Sequence, residues 1–414
     1  MNSSLRVTIH RGSRQIGGSC VEIATENHRV LIDAGTPLDD SAPRELPPIA
    51  GVSLPGKPPD ALLLSHAHID HSGLISKVPS VVPVYLTKGT SKMLQAGHIF
   101  CGQTKLPRER ECKLTPRRAE RIGDITVTAL PVDHSIFGAV AFLIEAAGRR
   151  VLYSGDLRLH GREPWLTRDL IAAAGAAPLD LLLIEGTHLS RRLDAIATTE
   201  PELEEKITDL VAAAPSLALA FLSPQHIQRL LGFYHAACHT GRTFVVDSYT
   251  AFVLHGLRFE PGVPDPAKSP GLRVRFIESQ PHIPQVEKRV THSRITLDEV
   301  LAKPERHVLL CRPNMIKHDL GGTVPAKTLG LYSMWHGYLN RKDDWRKTQR
   351  IIAEAGGDFV QCHTSGHATV PDLVKLINDL RPRRIVPIHT ERPEVLKELV
   401  PNVEIAEDGV AILV

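Results

Sequence analysis

The chain has 414 residues, of which 42% are hydrophobic and 23% are charged, and its formal net charge is +3. These values are typical of a folded globular protein and exclude a mainly disordered or fibrous chain. The length predicts one large domain or two coupled domains. No run of about 18 apolar residues occurs, so we expect neither a transmembrane helix nor a membrane partner. The first residues lead directly into strand-like sequence, so we expect no secretory signal.

The chain holds 6 cysteines and 21 histidines. No two cysteines have C-x-x-C spacing, which favours reduced thiols in a cytoplasmic protein over a disulfide framework or a zinc ribbon. The histidines are more informative, because several of them stand directly after predicted strands.

Short apolar segments alternate with turns through the first 190 residues. Each segment is rich in leucine or β-branched residues and is bounded by Gly, Pro, Asn, Asp or Ser, which is typical of strands. The predicted strands are 6–10, 20–25, 29–32, 61–64, 84–86, 125–129, 140–145, 150–154 and 181–184. Helices are predicted at 90–98, 117–121 and 167–174.

The pattern changes at about residue 196. Thr199 and Glu202 have the spacing of a capping box, and the apolar residues that follow keep a helical period through residue 213. Strands then alternate with helices, which indicates a parallel sheet covered by helices. The predicted strands here are 217–222, 243–246, 307–310 and 328–332, and the predicted helices are 225–240, 250–257 and 345–355. The chain closes with strand 359–362, helix 371–380, strand 384–388 and two short strands.

The segment 65–73 reads S-H-A-H-I-D-H-S-G and follows a predicted strand. It places His66, His68, Asp70 and His71 within six residues. Imidazole suits zinc and other transition metals, and a carboxylate can bridge two ions. A polar turn that is rich in histidine by chance would need four coincidences, so we interpret the segment as a metal-binding loop.

Other candidate ligands also follow predicted strands. A single His or Asp in that position is more often a cap, a turn former or a satisfied polar group. Four such residues occur in this order, namely Asp33, His134, Asp156 and His389. Taken together they indicate a metal site more specifically than any one of them does.

This order of residues resembles the metallo-β-lactamase fold, whose ligands lie on loops at one edge of an αββα sandwich. Glu185, the segment 363–368 (H-T-S-G-H-A) and the P-I-H that ends at His389 resemble the β-CASP branch of nucleic-acid-processing enzymes. Within that branch the chain is most similar to ribonuclease J, over nearly its whole length. The resemblance implies an α/β fold, namely a metallo-β-lactamase αββα sandwich with an inserted βα β-CASP domain. The implied domains are 1–195 and 346–414 for the sandwich and 196–345 for the insert.

The resemblance implies two divalent metal ions, with zinc ahead of manganese or magnesium. It assigns one ion to His66, His68, His134 and Asp156. It assigns the other ion to Asp70, His71, Asp156 and His389, so that Asp156 bridges the two. Asp33 is implied to accept a hydrogen bond from a ligand histidine and to fix its tautomer.

The resemblance also implies that Asp70, Glu185 and His367 are catalytic, with Glu185 and His367 forming a paired acid. A histidine beside a carboxylate keeps its proton more readily, and the leaving alkoxide of a phosphodiester needs a proton. The alternative for His367 is a structural cap of the helix that begins near residue 369. The residues implied to bind a phosphate near the scissile bond are His363, Ser365 and Gly366.

We therefore expect a cytoplasmic, metal-dependent ribonuclease that hydrolyses RNA phosphodiester bonds in RNA processing or decay. One alternative is a metallo-β-lactamase-fold hydrolase of DNA or of a small phosphodiester. A second alternative is a non-catalytic RNA-binding scaffold. The expected partner is nucleic acid, with RNA ahead of DNA, and the chain is expected to be a monomer or a homodimer.

The chain departs from the ribonuclease J pattern near its end. Ribonuclease J chains carry a further domain after the last metal motif, whereas 25 residues follow His389 here. We therefore expect a protein without that domain.

Overall fold

The structure is a computed structural model that describes residues 4–39, 41–190, 194–278, 280–341 and 343–414. Its internal contacts divide the chain into two compact units. The first unit comprises Met1–Ala197 and Gly366–Val414, and the second comprises Thr198–Ser365.

The strands in the described ranges are β1 (Arg6–Arg11), β2 (Cys20–Ala24), β3 (Arg29–Ile32), β4 (Ala61–Leu63), β5 (Val84–Thr87), β6 (Glu111–Leu114), β7 (Ala119–Ile122), β8 (Ile125–Pro131), β9 (Val140–Ala146), β10 (Arg149–Tyr153), β11 (Leu181–Glu185), β12 (Ala218–Phe221), β13 (Thr243–Asp247), β14 (Leu272–Arg275), β15 (His307–Leu310), β16 (Leu329–Tyr332), β17 (Phe359–Gln361), β18 (Arg384–Ile388) and β19 (Ala411–Leu413).

The helices in the same ranges are α1 (Ile69–Ser72), α2 (Lys88–Cys101), α3 (Pro164–Ala174), α4 (Glu200–Ala213), α5 (Ile227–His239), α6 (Ser248–Leu257), α7 (Pro284–Arg289), α8 (Leu297–Ala302), α9 (Pro313–His318), α10 (Gly337–Arg341), α11 (Asp343–Glu354), α12 (Val370–Leu380) and α13 (Pro393–Leu399). Within the described part of the chain, none of them is long and apolar enough to cross a bilayer.

The first unit contains two sheets that pack face to face. Their strand orders are β19-β1-β2-β3-β4-β5-β6 and β18-β11-β10-β9-β8-β7. Side chains alternate between the two faces of a strand. In β11, Leu181 and Leu183 therefore belong to the core between the sheets, whereas Leu182 and Ile184 join the core formed with α3 and α12. Helix α2 packs against β5 of the other sheet, and the predicted αββα sandwich is confirmed.

The second unit contains a parallel sheet in the order β14-β13-β15-β12-β16-β17. Its core joins apolar residues of the strands to those of α9 and α11. Helix α4 begins with the predicted capping box, since the Thr199 side chain accepts from the Glu202 N–H and the Glu202 side chain accepts from the Thr199 N–H. The predicted alternation of strands and covering helices is therefore present.

Two predicted segments differ from the structure. The insert was expected to end at residue 345, but β17 pairs with β16 in the second sheet, so 346–365 lies in the second unit. The predicted helix 117–121 is wrong. Most of this segment lies in β7, which pairs with β8 across a Gly123-Asp124 turn, and a left-handed φ of 61° at Gly123 permits the tight hairpin.

The sheet topology of the first unit aligns the ends of several strands. β8 and β10 are both antiparallel to β9, and β11 is parallel to β10 and β18. These four strands therefore run in one direction and end at one edge of their sheet. In the other sheet, β3 and β4 are parallel to each other. The carboxyl ends of these six strands, the loops after them and α1 carry the predicted metal residues and Glu185.

We expect Gly35→Ala to lower the free energy of unfolding by about 3 kcal/mol, because the added Cβ atom would clash with the backbone of a neighbouring segment. That atom would lie 1.7 Å from the Asp70 carbonyl oxygen. Gly256→Ala is the matched control, since Gly256 lies in α6 and its Cβ would meet nothing within 4 Å. The control should keep or gain stability through better helix propensity. Denaturant unfolding checks both variants, and unchanged stability of Gly35→Ala contradicts this packing argument.

Candidate metal centre and active site

The loop after β4 and the short helix α1 carry four of the predicted ligands. His66 and His68 lie on the loop, and Asp70 and His71 lie in α1. The chain after β3 holds this helix in place, because the Ala34 N–H donates to the His71 carbonyl oxygen at 2.8 Å. His66 and His71 are buried.

One group of candidate ligands consists of His66, His68 and His134, whose ligand atoms all lie within 4.8 Å of one another. Nε2 of His134 lies 3.0 Å from Nδ1 of His68. His134 follows β8, and its Nδ1 donates to the Gly366 carbonyl oxygen. That bond places the ring proton on Nδ1 and leaves a lone pair on Nε2, which faces the group.

A second group consists of Asp70, His71, Asp156 and His389, again with ligand atoms within 4.8 Å of one another. Nε2 of His389 lies 3.3 Å from Oδ2 of Asp70. Nε2 of His71 lies 3.1 Å from Oδ2 of Asp156, and Nδ1 of His389 lies 3.6 Å from its Oδ1. Residues from α1 and from the loops after β10 and β18 therefore meet at one point.

Asp156 lies between the two groups. In addition to its contacts with the second group, its Oδ2 is 3.7 Å from Nε2 of His66 and 3.8 Å from Nε2 of His134. Each carboxylate oxygen can accept more than one interaction. The arrangement is that of a carboxylate shared by two adjacent sites.

The donor set fits divalent metal ions. Within the described residues, His66 Nε2 and Asp156 Oδ1 are buried and have no hydrogen-bond partner. Buried polar atoms are nearly always paired, so these two atoms fit ligands of a cation. Imidazole nitrogens with carboxylate oxygens are typical zinc ligands.

The protonation states favour metal binding. Burial and the neighbouring imidazoles hold the pKa of His66 and of His134 well below the usual range. Burial also lowers the pKa of His68 to about 4. Burial opposes the charge on Asp156, but His389 and His71 outweigh it and hold the pKa of this carboxyl well below its usual range. Three neutral rings thus surround an ionised carboxylate at pH 7.

His71 differs from these rings. Burial lowers its pKa, but Asp156 and Asp33 outweigh that effect and raise it well above the usual range. The two carboxylates therefore favour the protonated ring. Metal binding to such a site releases a proton, because the ligand must be neutral.

Asp33 contacts the ring of His71. Its Oδ2 lies 2.8 Å from His71 Nδ1, and it also accepts from Ser65 Oγ and Tyr153 OH, each at 2.7 Å. Asp33 has a left-handed φ of 62°, a strained conformation for a residue other than glycine. The Nδ1 contact leaves Nε2 of His71 facing the centre. Sequence reasoning did not find Ser65, which directly precedes His66, or Tyr153, which lies three residues before Asp156.

Glu185 and His367 form a pair beside the same centre. Nδ1 of His367 lies 3.3 Å from Oε1 of Glu185 and 3.9 Å from Oδ2 of Asp156. Burial lowers the pKa of His367, but Glu185 and Asp156 outweigh it and raise the pKa to about 9. The cap of α12 is Thr369, whose side chain accepts from the Asp372 N–H. The structural alternative for His367, that of helix cap, is therefore wrong.

Thr187 is a site residue that sequence reasoning missed. Its hydroxyl lies 3.1 Å from Nδ1 of His367 and 3.0 Å from Nδ1 of His389, and its N–H donates to Glu185 Oε2 at 3.0 Å. One threonine thus links the carboxylate–histidine pair to a candidate metal ligand. The sequence offered one signal for Thr187, which is its position two residues after the predicted catalytic residue Glu185.

The predicted phosphate-binding residues are divided between the units. Gly366 lies in the first unit, and His363 and Ser365 lie in the second. A Cβ atom at Gly366 would lie 2.4 Å from Ser135 Oγ, so only glycine fits beside the loop that carries His134. Roles in phosphate binding stay predictions for all three residues.

Two family models match parts of the chain. A family model described as a beta-lactamase superfamily domain matches residues 28–227, and one described as a Zn-dependent metallo-hydrolase RNA specificity domain matches residues 358–400. The crystal structure of a protein of unknown function from Enterococcus faecalis V583 has a TM-score of 0.82 and 25% identity, and the match covers 99% of this chain and 100% of that one.

Two relatives of known name are similar in sequence. An RNase J-like protein of Methanocaldococcus jannaschii is 28% identical over 58% of this chain, and a ribonuclease J of Mycolicibacterium smegmatis is 23% identical over 93% of it. The matched regions span 57% and 68% of the length of those relatives. Taken with the two family models and the shared fold, they make the chain similar to metallo-β-lactamase β-CASP ribonucleases.

Proposed function

We propose that the chain is a metal-dependent ribonuclease that hydrolyses RNA phosphodiester bonds in RNA processing or decay. The observation that carries this proposal is the position of Asp156, which is within reach of two imidazole-rich groups and of the His367–Glu185 pair. The match to an RNA specificity domain and the ribonuclease names of the relatives support RNA as the substrate. A cytoplasmic location and the choice between monomer and homodimer stay predictions.

The proposed cofactor is a pair of divalent ions, with zinc ahead of manganese or magnesium. Such a pair, when bound, supplies a nucleophile at neutral pH and neutralises charge on the phosphate oxygens. The residues that would hold one ion are His66, His68, His134 and Asp156. Those that would hold the other are Asp70, His71, Asp156 and His389.

The chain itself supplies the proton for the leaving oxygen in this proposal. The Glu185 carboxylate orients His367 through Nδ1 and favours the protonated ring. The proton transferred to the leaving oxygen is then the one on Nε2. His363, Ser365 and Gly366 are proposed to contact a phosphate of the substrate, where the absence of a side chain at Gly366 permits close approach of backbone to oxygen.

Removal of a ligand should abolish both metal binding and cleavage. We expect His68→Ala and Asp70→Ala to lose bound metal and to cleave labelled RNA at least about a thousandfold more slowly, because the nucleophile and the charge neutralisation are lost together. His98→Ala is the matched control, since His98 is exposed on α2 and bonds the Gln103 carbonyl oxygen. Metal analysis and cleavage assays check this, and full activity in either ligand variant refutes the metal assignment.

The proton-donor role of His367 predicts dependence on the leaving group. We expect His367→Gln to cleave RNA about 10²–10⁴-fold more slowly, because general-acid catalysis contributes that range. A phosphodiester with a p-nitrophenolate leaving group needs no proton, so its hydrolysis should fall far less. Metal content serves as the control and should stay unchanged. Equal losses with both substrates, or loss of metal, would show that His367 has another role.

Substitution of the residues that orient His71 should weaken metal binding. We expect Asp33→Asn to weaken metal binding about 10–100-fold, as is typical for loss of a carboxylate behind a ligand histidine. Tyr153→Phe removes one hydrogen bond to Asp33 and should have a smaller effect in the same direction. Competition with a chelator measures both affinities. Wild-type affinity in Asp33→Asn would mean that this carboxylate does not support the site.

A further inference from the structure

A buried ion pair joins two of the loops that carry candidate metal ligands. Nε of Arg158 donates to Oδ1 of Asp133 at 2.8 Å, across 25 residues of sequence. Asp133 directly precedes His134, and Arg158 follows Asp156 by two residues. The pair therefore connects the loop after β8 with the loop after β10, close to the point where both loops supply a candidate ligand.

Both charges of this pair are shielded from solvent. The side chain of Arg158 is 0% exposed and that of Asp133 is 3% exposed. Removing two charges from water is costly, so a buried ion pair is weak evidence for a stabilising role. Such a pair can instead serve to fix one arrangement of the chain. The contacts around the Asp133 carboxylate indicate what this pair fixes.

The segment 158–163 packs around Asp133. The Arg158 N–H donates to the Asp133 carbonyl oxygen at 2.8 Å, so the main chain and the side chain of Arg158 bind the same residue. The Glu163 N–H donates to Oδ2 of Asp133 at 3.4 Å. Gly161 approaches so closely that a Cβ atom there would lie 1.9 Å from the same oxygen. Three residues of one short segment therefore determine where the Asp133 carboxylate lies.

The position of Asp133 bears directly on the metal centre. His134 is the next residue along the chain, and its Nε2 lies 3.8 Å from Oδ2 of Asp156. A movement of one loop against the other would change this distance. Metal sites tolerate displacements of only about 0.5 Å from the productive geometry, so their ligands need support from surrounding residues. The contacts between 133 and 158–163 provide such support.

We propose that the Asp133–Arg158 pair fixes the loops after β8 and β10 relative to each other. It thereby sets the distance between His134 and Asp156, and with it the affinity and geometry of the metal position to which both belong. The inference rests on the proposed function, which supplies the metal ions. It assigns Asp133, Arg158 and Gly161 as positioning residues that act through the ligands.

Zinc affinity of the folded protein, measured by competition with a chelator, tests this role. We expect Arg158→Met to weaken zinc binding about 100-fold and Arg158→Lys about tenfold, the range typical of residues that support metal ligands. Lysine keeps a cation that can pair with Asp133, so it should rescue part of the loss. Asp319→Asn is the matched control, because it breaks a largely buried ion pair with Arg275 in the second unit. The control should lose stability and keep wild-type zinc affinity. Wild-type affinity in both Arg158 variants, or an equal loss in the control, overturns the proposal.

Gly161→Ala tests the same role without removing a charge, and it serves if Arg158→Met fails to fold. Its Cβ atom would displace the Asp133 carboxylate. The readout is the visible absorption of the Co²⁺-loaded protein, which depends on the coordination geometry of the ion. We expect Gly161→Ala and Arg158→Lys to change the position and intensity of the bands. Gly256→Ala, whose Cβ would meet nothing within 4 Å, should keep the wild-type spectrum. Wild-type spectra in both test variants overturn the positioning role.

These two measurements do not depend on catalysis. If the wild type binds zinc with the expected dependence on Arg158 but cleaves no RNA, the proposed function fails and the positioning role stands. If RNA is cleaved and the Arg158 and Gly161 variants keep wild-type zinc affinity and Co²⁺ spectra, the proposed function stands and the positioning role fails. A wild type that binds neither zinc nor cobalt overturns the positioning role together with the proposed cofactor.

Discussion

The buried carboxylate of Asp156 is the group on which the rest of the site depends. It is 2% exposed, and nitrogen atoms of His66, His71, His134, His367 and His389 lie between 3.1 and 3.9 Å from its oxygens. An unpaired charge in such a place would be too costly to keep. The surrounding rings supply compensation, and Nε2 of His66 beside this carboxylate is buried without a hydrogen-bond partner. Folding of the first unit thus assembles a donor set that fits divalent metal ions.

The sheet explains how residues distant in sequence meet at this carboxylate. His134, Asp156 and His389 follow three strands that run in one direction with β11, which ends at Glu185, so these residues lie at one edge. The metal-binding loop after β4 approaches from the other sheet. The sandwich therefore places these residues at one edge, while apolar side chains form the core between its two sheets.

Much of this site was predictable from the sequence. The H-x-H-x-D-H segment predicts a metal-binding loop by residue type and spacing, and the structure gathers its side chains in one place. The convergence of Asp33, Asp156 and His389 on it came from family resemblance, because no local pattern encodes which strands are neighbours.

The features that could not be predicted depend on contacts between distant segments. Tyr153 and Thr187 act through single hydroxyl groups that have no characteristic spacing. Residues 117–121 have good helix formers, but pairing with β8 outweighs that local preference. The boundary at 345 failed for the same reason, because only the pairing of β17 with β16 shows where 346–365 belongs.

The most direct test of the account is an anomalous-scattering map from crystals of the zinc-loaded protein, recorded on both sides of the zinc absorption edge. The account predicts two peaks that share Asp156 as a ligand, one beside His66, His68 and His134 and the other beside Asp70, His71 and His389. A single peak, or zinc bound only elsewhere on the chain, would contradict it.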